Sequence, residues 1–194
     1  MAKSGPASAK RERMKNVRWV ITIFLVTILV SGLISFLSDK IMASSGIITA
    51  FLILLTIVLI GILFDTIGVA VTSADESPFH SMAARKVPGA LESLRLLRRA
   101  ERVSSICNDV IGDICGVVSG SAAATISVQI INNFSFSWAS VISLVMSAFV
   151  AGLTVGGKAI SKGFAVNSST TIVHLVGKTI YMFYHIKDLF RRKK

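Results

Sequence analysis

Cysteine is nearly missing from this chain: there are 2, Cys107 and Cys115, in one apolar run and off a common helical face. That spacing argues against a disulfide or a shared metal and leaves two small apolar side chains packed in a helix. Acidic residues are also scarce, 10 against 21 Lys and Arg. No Ser/His/Asp, Cys/His or zinc-ligand arrangement occurs at useful spacing, so an enzyme is not expected. No polar stretch is long enough for a separate soluble domain, and no internal repeat is evident. Only 3 prolines occur, and two of them, in Ser77-Pro78 and Pro88-Gly89, mark turns inside one polar segment.

What the chain does have is apolar runs. Val17–Leu37, Gly46–Val71, Ile106–Ile131 and Trp138–Ala159 each approach the ~20 residues a helix needs to cross ~30 Å of hydrocarbon. Each is expected to be helical, because backbone groups in lipid must find partners within the segment. Basic residues flank these runs, and 20 of the 21 fall on one side of the implied membrane; the connections near Asp39 and Asn132 hold only Lys40. Positive charge stays cytoplasmic, so both termini are expected inside a cell membrane. The net charge of +11 then suits anionic lipid headgroups, each basic residue gaining about 1 kcal/mol near the surface, and nucleic acid is not expected as a partner. The basic start followed by an apolar run reads as a retained signal anchor.

Residues 1–16 form an expected disordered basic arm, and 17–38 a first span. Between the second and third spans, Ser73–Ser105 is divided by its turns into two short helices. The second, about Ala90–Ser104, places Arg95, Arg98, Arg99 and Arg102 on one stripe suited to the inner headgroups. Ser168–Phe190 carries Ile172, Leu175, Val176, Ile180, Phe183, Ile186 and Phe190 on one arc and His174, Lys178, His185 and Asp188 on another. This predicts an amphipathic belt helix with a basic tail at 191–194.

Charges inside spans cost about 2.5–3.5 kcal/mol near the helix centre and need a partner or a purpose. Asp65 lies in the second span; Asp109 and Asp113 lie in the third; Lys158 and Lys162 end the fourth. Alternate helices run in opposite directions, so all five are expected at one depth in the inner leaflet. At a uniform 100° per residue, Asp109, Gly112, Asp113, Gly116, Gly120, Ala123, Ala124 and Ser127 fall on one arc, a double GxxxG stripe predicted to place the acids in a helix interface. Gly61, Asp65, Gly68 and Thr72 make a comparable line in the second span. Gly156-Gly157 is expected to loosen the fourth helix beside Lys158. Two readings stay open: Asp65, Asn108, Asp109 and Asp113 as oxygen donors to Mg²⁺, or the same acids neutralised by Lys158 or Lys162 as a structural ion-pair network.

Phe64-Asp65-Thr66-Ile67-Gly68-Val69-Ala70-Val71-Thr72-Ser73 resembles the FFSGSETALTS stretch of the transmembrane domain of the CNNM/CorC (cyclin M) magnesium transporters. Gly89-Ala90-Leu91 to Glu101-Arg102 is similar to that family's cytoplasmic helix, Ile106-Cys107-Asn108-Asp109 to its IGNN, and Gly157 to Ala165 to its GEVLPKSYA. The resemblance covers 46–190 and implies three core helices, a cytoplasmic helix pair and a juxtamembrane belt helix, with 17–38 as an added span. It departs at the site: Asp65 replaces a serine, Gly68 a glutamate, Lys158 the glutamate of GE and Ser161 a proline. The family's cytosolic nucleotide-sensing CBS module is not expected.

The sequence is therefore read as an all-α, polytopic integral membrane protein with four transmembrane helices, a cytoplasmic helix pair and a C-terminal amphipathic belt helix, assembled as a homodimer. The expected function is binding or transport of a divalent cation, Mg²⁺, at Asp65, Asn108, Asp109 and Asp113, with Lys158 as internal counter-ion. The alternative is a non-transporting structural or regulatory membrane protein whose vestigial ion site Lys158 neutralises.

Overall fold

The computed structural model describes residues 6–134 and 139–191, with side chains over 17–42, 44–133 and 140–185. These residues are all-α, with no strand among them. In chain order they form α1 (Pro6–Ala43), α2 (Ile47–Ser73), α3 (Ser77–Ala84), α4 (Ala90–Leu97), α5 (Ala100–Ser105), a π-helical segment (Ile106–Gly112), α6 (Asp113–Phe134), α7 (Ala139–Asn167) and α8 (Ser169–Arg191). Four stretches are long and apolar enough to cross a membrane: Val17–Met42, Ile47–Ser73, Ala100–Asn133 and Ser140–Asn167. Their outward faces carry exposed Leu29, Ile48, Leu63 and Leu144, among others. Such a surface is stable only against lipid or another apolar body.

Two buried clusters hold the helices together. Toward one end, Leu54 of α2 meets Met42 of α1, Ala122, Ala123 and Ile126 of α6, and Met146 and Val150 of α7. Toward the other, Ala70 and Val71 of α2 pack with Phe79, Leu94 and Leu97 of the short helices, Ala165 of α7 and Val173 of α8. Asp65 falls between them on α2, about 16 Å beyond Leu54 at 1.5 Å per residue.

Several expectations are corrected. Of the arm expected to be disordered, residues 6–16 belong to α1, which runs without a break into the first apolar run, and residues 1–5 lie outside the described residues. The helix expected over Ala90–Ser104 is interrupted at Arg98 and Arg99; Arg99 leaves helical geometry at φ −124°, ψ 28°. The fourth span does not loosen at Gly156-Gly157: α7 is continuous from Ala139 to Asn167. The irregularity lies instead in the third span, where Ile106–Gly112 widens into a π-helix. Trp138 and residues 192–194 of the basic tail lie outside the described residues.

The C-terminal helix docks differently from its amphipathic arc. Ser169, Val173 and Gly177 are its buried line, whereas Leu175 and Phe183 are exposed. Its partner is α4. The turn before α4 uses Gly89 at φ 88°, a left-handed conformation that favours glycine. A Cβ there would sit 2.5 Å from the Lys178 backbone nitrogen, and one at Gly177 would sit 2.6 Å from the Gly89 carbonyl oxygen. The two glycines thus let α4 and α8 touch backbone to backbone. Ser93, fully buried in this crossing, has its hydroxyl 2.9 Å from Gly89 O and 3.2 Å from Val173 O.

Candidate functional site

Asp65 is buried on α2 in line with Gly61 and Gly68, whereas Thr72, the last member of the expected line, is exposed. Each glycine makes room for a different neighbour. A Cβ at Gly61 would lie 2.8 Å from Cys115 Cβ, and one at Gly68 would overlap the Asn108 side-chain oxygen. The second contact seats the π-helical segment against α2. A π turn carries one more residue than an α turn, and such bulges recur at functional sites. Here it delivers Asn108 to within one turn of Asp65 along α2.

Lys158 arrives from α7. Gly157 takes the side chain of Ile62 into its missing Cβ position, which allows α7 to approach α2 at that level. The Lys158 ammonium then lies 3.8 Å from Asp65 Oδ1, with the two side chains 23% and 7% exposed. On its other side it lies 3.4 Å from where a Cβ on Gly112 would stand. The ammonium is therefore held between the α2 carboxylate and the backbone of the π segment. The separation from Asp65 exceeds a hydrogen bond, so the attraction is Coulombic across a low-dielectric gap.

Two oxygens beside this pair have no hydrogen-bond partner, Asp65 Oδ2 and Asn108 Oδ1. An unmet buried acceptor costs about 1–3 kcal/mol. The Asn108 amide nitrogen does reach Ser104 Oγ at 3.3 Å. The site therefore has one charge pair and two unused acceptor oxygens.

Asp109 and Asp113 do not join it. Both are exposed, and among the described residues no three His, Cys, Asp or Glu groups come close enough to hold a metal ion together. Within one protomer these acids enter no helix interface, because the packing boundary runs down the middle of the small-residue stripe. Gly112, Ala123 and Ser127 are buried on one edge; Asp109, Asp113, Gly120 and Ala124 are exposed on the other. Larger residues, Ile114, Val118 and Ile126, take the protein-facing arc. Lys162 is likewise exposed, so of the two terminal lysines only Lys158 turns inward.

A second polar contact, between α1 and α6, has no counterpart in the expected set. Ser121 Oγ donates to Asp39 at 3.0 Å, Thr125 Oγ1 donates to the same carboxylate at 3.2 Å, and Gln129 Nε2 donates to the Met42 carbonyl at 2.6 Å. Ser121, Thr125 and Gln129 repeat every four residues in an apolar span, a signal that a polar partner faces them. At the opposite end, Arg102 stacks over the Trp19 ring at 5.8 Å, joining the start of the first span to α5. Together these contacts hold α1 parallel to the third span along its length.

Compared with protein-family models, with curated proteins and with solved structures, the chain matches none.

Proposed function

We propose that this chain is a membrane protein in which Lys158 supplies, as a tethered ammonium, the positive charge that a divalent cation would bring to Asp65, so that it acts as a structural or regulatory protein and does not transport Mg²⁺. The observation that carries this reading is the Lys158–Asp65 pair, with the ammonium seated against Gly112. A scaffold of the CNNM/CorC transmembrane type is part of the proposal. It is supported by the ordered motif resemblance and by a short-helix segment, α3 to α5, standing between the second and third spans. Reconstituted into proteoliposomes, the protein should pass no more Mg²⁺ than protein-free vesicles. Saturable Mg²⁺ flux that disappears in Asp65→Asn would overturn this reading.

One observation favours a second reading, divalent-cation binding or transport: the unpartnered Asp65 Oδ2 and Asn108 Oδ1 are hard oxygen donors of the kind Mg²⁺ takes. In that reading Lys158 swings aside and the cation replaces it, without Asp109 or Asp113 in the same shell.

Both termini are proposed to be cytoplasmic, the short helices α3 to α5 and α8 lying on that side, in the cell membrane. The support is the 20 of 21 basic residues on one side, with Lys40 the exception. A reporter fused after Lys194 should read out in the cytoplasm, and a reporter inserted at Asn132 outside; the reverse pattern sinks the orientation.

A homodimer is proposed through the outward edge of α6. Gly116 and Gly120 have nothing within 4 Å of their missing Cβ positions, so leucine fits there within one protomer. Gly116→Leu should keep the thermal stability of the monomer and lower the dimer fraction in cross-linking. An unaltered cross-linked fraction would place that edge against lipid.

A further inference from the structure

Between α4–α5 and α8 lies a cleft of about 520 Å³ that the charge pair does not use. Three guanidinium-bearing residues, Arg95, Arg98 and Arg99, line it, and all three are exposed. On an unbroken helix the adjacent Arg98 and Arg99 would diverge by about 100°. The break between α4 and α5, with Arg99 at φ −124°, allows both to line the same cleft. Arg95 is 3.8 Å from Glu92, also in the lining, while no carboxylate among the described residues lies within ion-pair reach of Arg98 or Arg99. Among the described lining residues, three cations less one anion leave two positive charges. The remaining walls are apolar, formed by Leu96, Val103 and Ile180, with Tyr184 beside them.

That combination selects an amphiphile. Guanidinium forks match phosphate oxygens in a bidentate way, and the apolar walls match a glycerol backbone and the start of an acyl chain. The volume falls within the roughly 300–1,000 Å³ of small-molecule sites. The cleft also stands at the right height: Arg102, one turn beyond Arg99, stacks on Trp19 at the foot of the first span, and tryptophan marks the membrane–water interface. We propose that this cleft binds the phosphate of an anionic glycerophospholipid as a defined site, distinct from the diffuse attraction of a basic surface for a charged bilayer. The proposal is independent of the Asp65–Lys158 reading and of which side of the membrane the cleft faces.

The test uses the full chain in a neutral detergent, with lipid retention followed by native mass spectrometry. Short-chain phosphatidylglycerol should bind at least about tenfold more tightly than phosphatidylcholine of the same chain length, as loss of one charge-assisted contact implies. Arg98→Gln with Arg99→Gln should remove that preference. Arg85→Gln with Lys86→Gln, an equal loss of charge at the α3–α4 turn, should leave it. Ile180→Trp, which fills the cleft at constant charge, should also abolish retention. Unliganded thermal midpoints near wild type show that the variants are folded. Equal losses in both charge-neutralised pairs, retention by Ile180→Trp, or competition by inorganic phosphate at the same concentration as the lipid would each overturn the proposal, the last by assigning the cleft to a free anion.

Discussion

Replacing Gly177 by valine should detach α8 from α4 and lower the thermal midpoint of the detergent-solubilised protein by roughly 5–10 °C. The added atoms would meet backbone: the Gly89 carbonyl oxygen at 2.6 Å and the Ser93 nitrogen at 2.9 Å. Side chains can rotate away from an intruder, but two helix backbones can only separate. Overpacking of this kind costs about 1–3 kcal/mol, and a rigid neighbour puts it at the upper end. For a chain of this size each kcal/mol corresponds to about 2–4 °C. Separation would also break the contact of the Ser93 hydroxyl with Val173 O and leave it only its bond to Gly89 O on the same side of the crossing. Gly163→Val is the control, because Gly163 is exposed and has nothing within 4 Å of its missing Cβ. It should change the midpoint little, since valine suits a helix better than glycine. A proteolytic clip in α8 that appears for Gly177→Val and not for Gly163→Val would locate the damage. If both variants melt together, the Gly89–Gly177 crossing does not hold α8.

That crossing also shows where pattern reading stops. The apolar arc of α8, with Leu175 and Phe183, is plain in the sequence, yet the helix docks through Ser169, Val173 and Gly177. Beside a membrane an apolar arc already has lipid as a partner, so close approach of small residues decides which face meets protein. The same physics misplaces the arc of the third span. A line of glycines and acids reads as an interface, but within the protomer Val118, Ala122 and Ile126 fill the space and the glycines of the outer edge stay open. The π segment was not legible because it depends on a tertiary fit, Asn108 against Gly68, with no residue type that signals it locally. The Asp39 contact does leave a sequence signal, Ser121, Thr125 and Gln129 at four-residue spacing in an apolar span, although it was not among the expected ones. Four spans follow from length and hydrophobicity alone. The meeting of Asp65 with Lys158 follows from the alternation of span directions, which runs the second and fourth spans the same way, with both charges toward the C-terminal end of their spans.

Lys158→Met is the substitution that separates the two functional readings. It removes the ammonium and leaves Asp65 buried beside Asn108 with no opposite charge among the described residues nearby. Breaking a buried pair typically costs about 3–5 kcal/mol, less if the carboxyl takes up a proton instead. The variant should therefore melt below wild type in the absence of divalent cations. Asp65→Asn should cost less, because Lys158 is partly exposed and its flexible stem can carry the ammonium toward water. The double variant should recover part of the loss of Lys158→Met, which a double-mutant cycle reports as coupling between the two positions. Adding millimolar Mg²⁺ then discriminates. If the tethered ammonium occupies a latent cation position, Mg²⁺ should leave the wild type unchanged and stabilise Lys158→Met, by about 2.7 kcal/mol at a hundred times its dissociation constant. That response should require Asp65 and should survive Asp109→Asn, whose carboxylate is exposed. Stabilisation of the wild type that Asp65→Asn abolishes would instead support a working Mg²⁺ site that displaces Lys158. Absence of any response, in wild type and in Lys158→Met alike, would remove Asp65 from cation chemistry altogether and leave the pair a purely structural contact between α2 and α7.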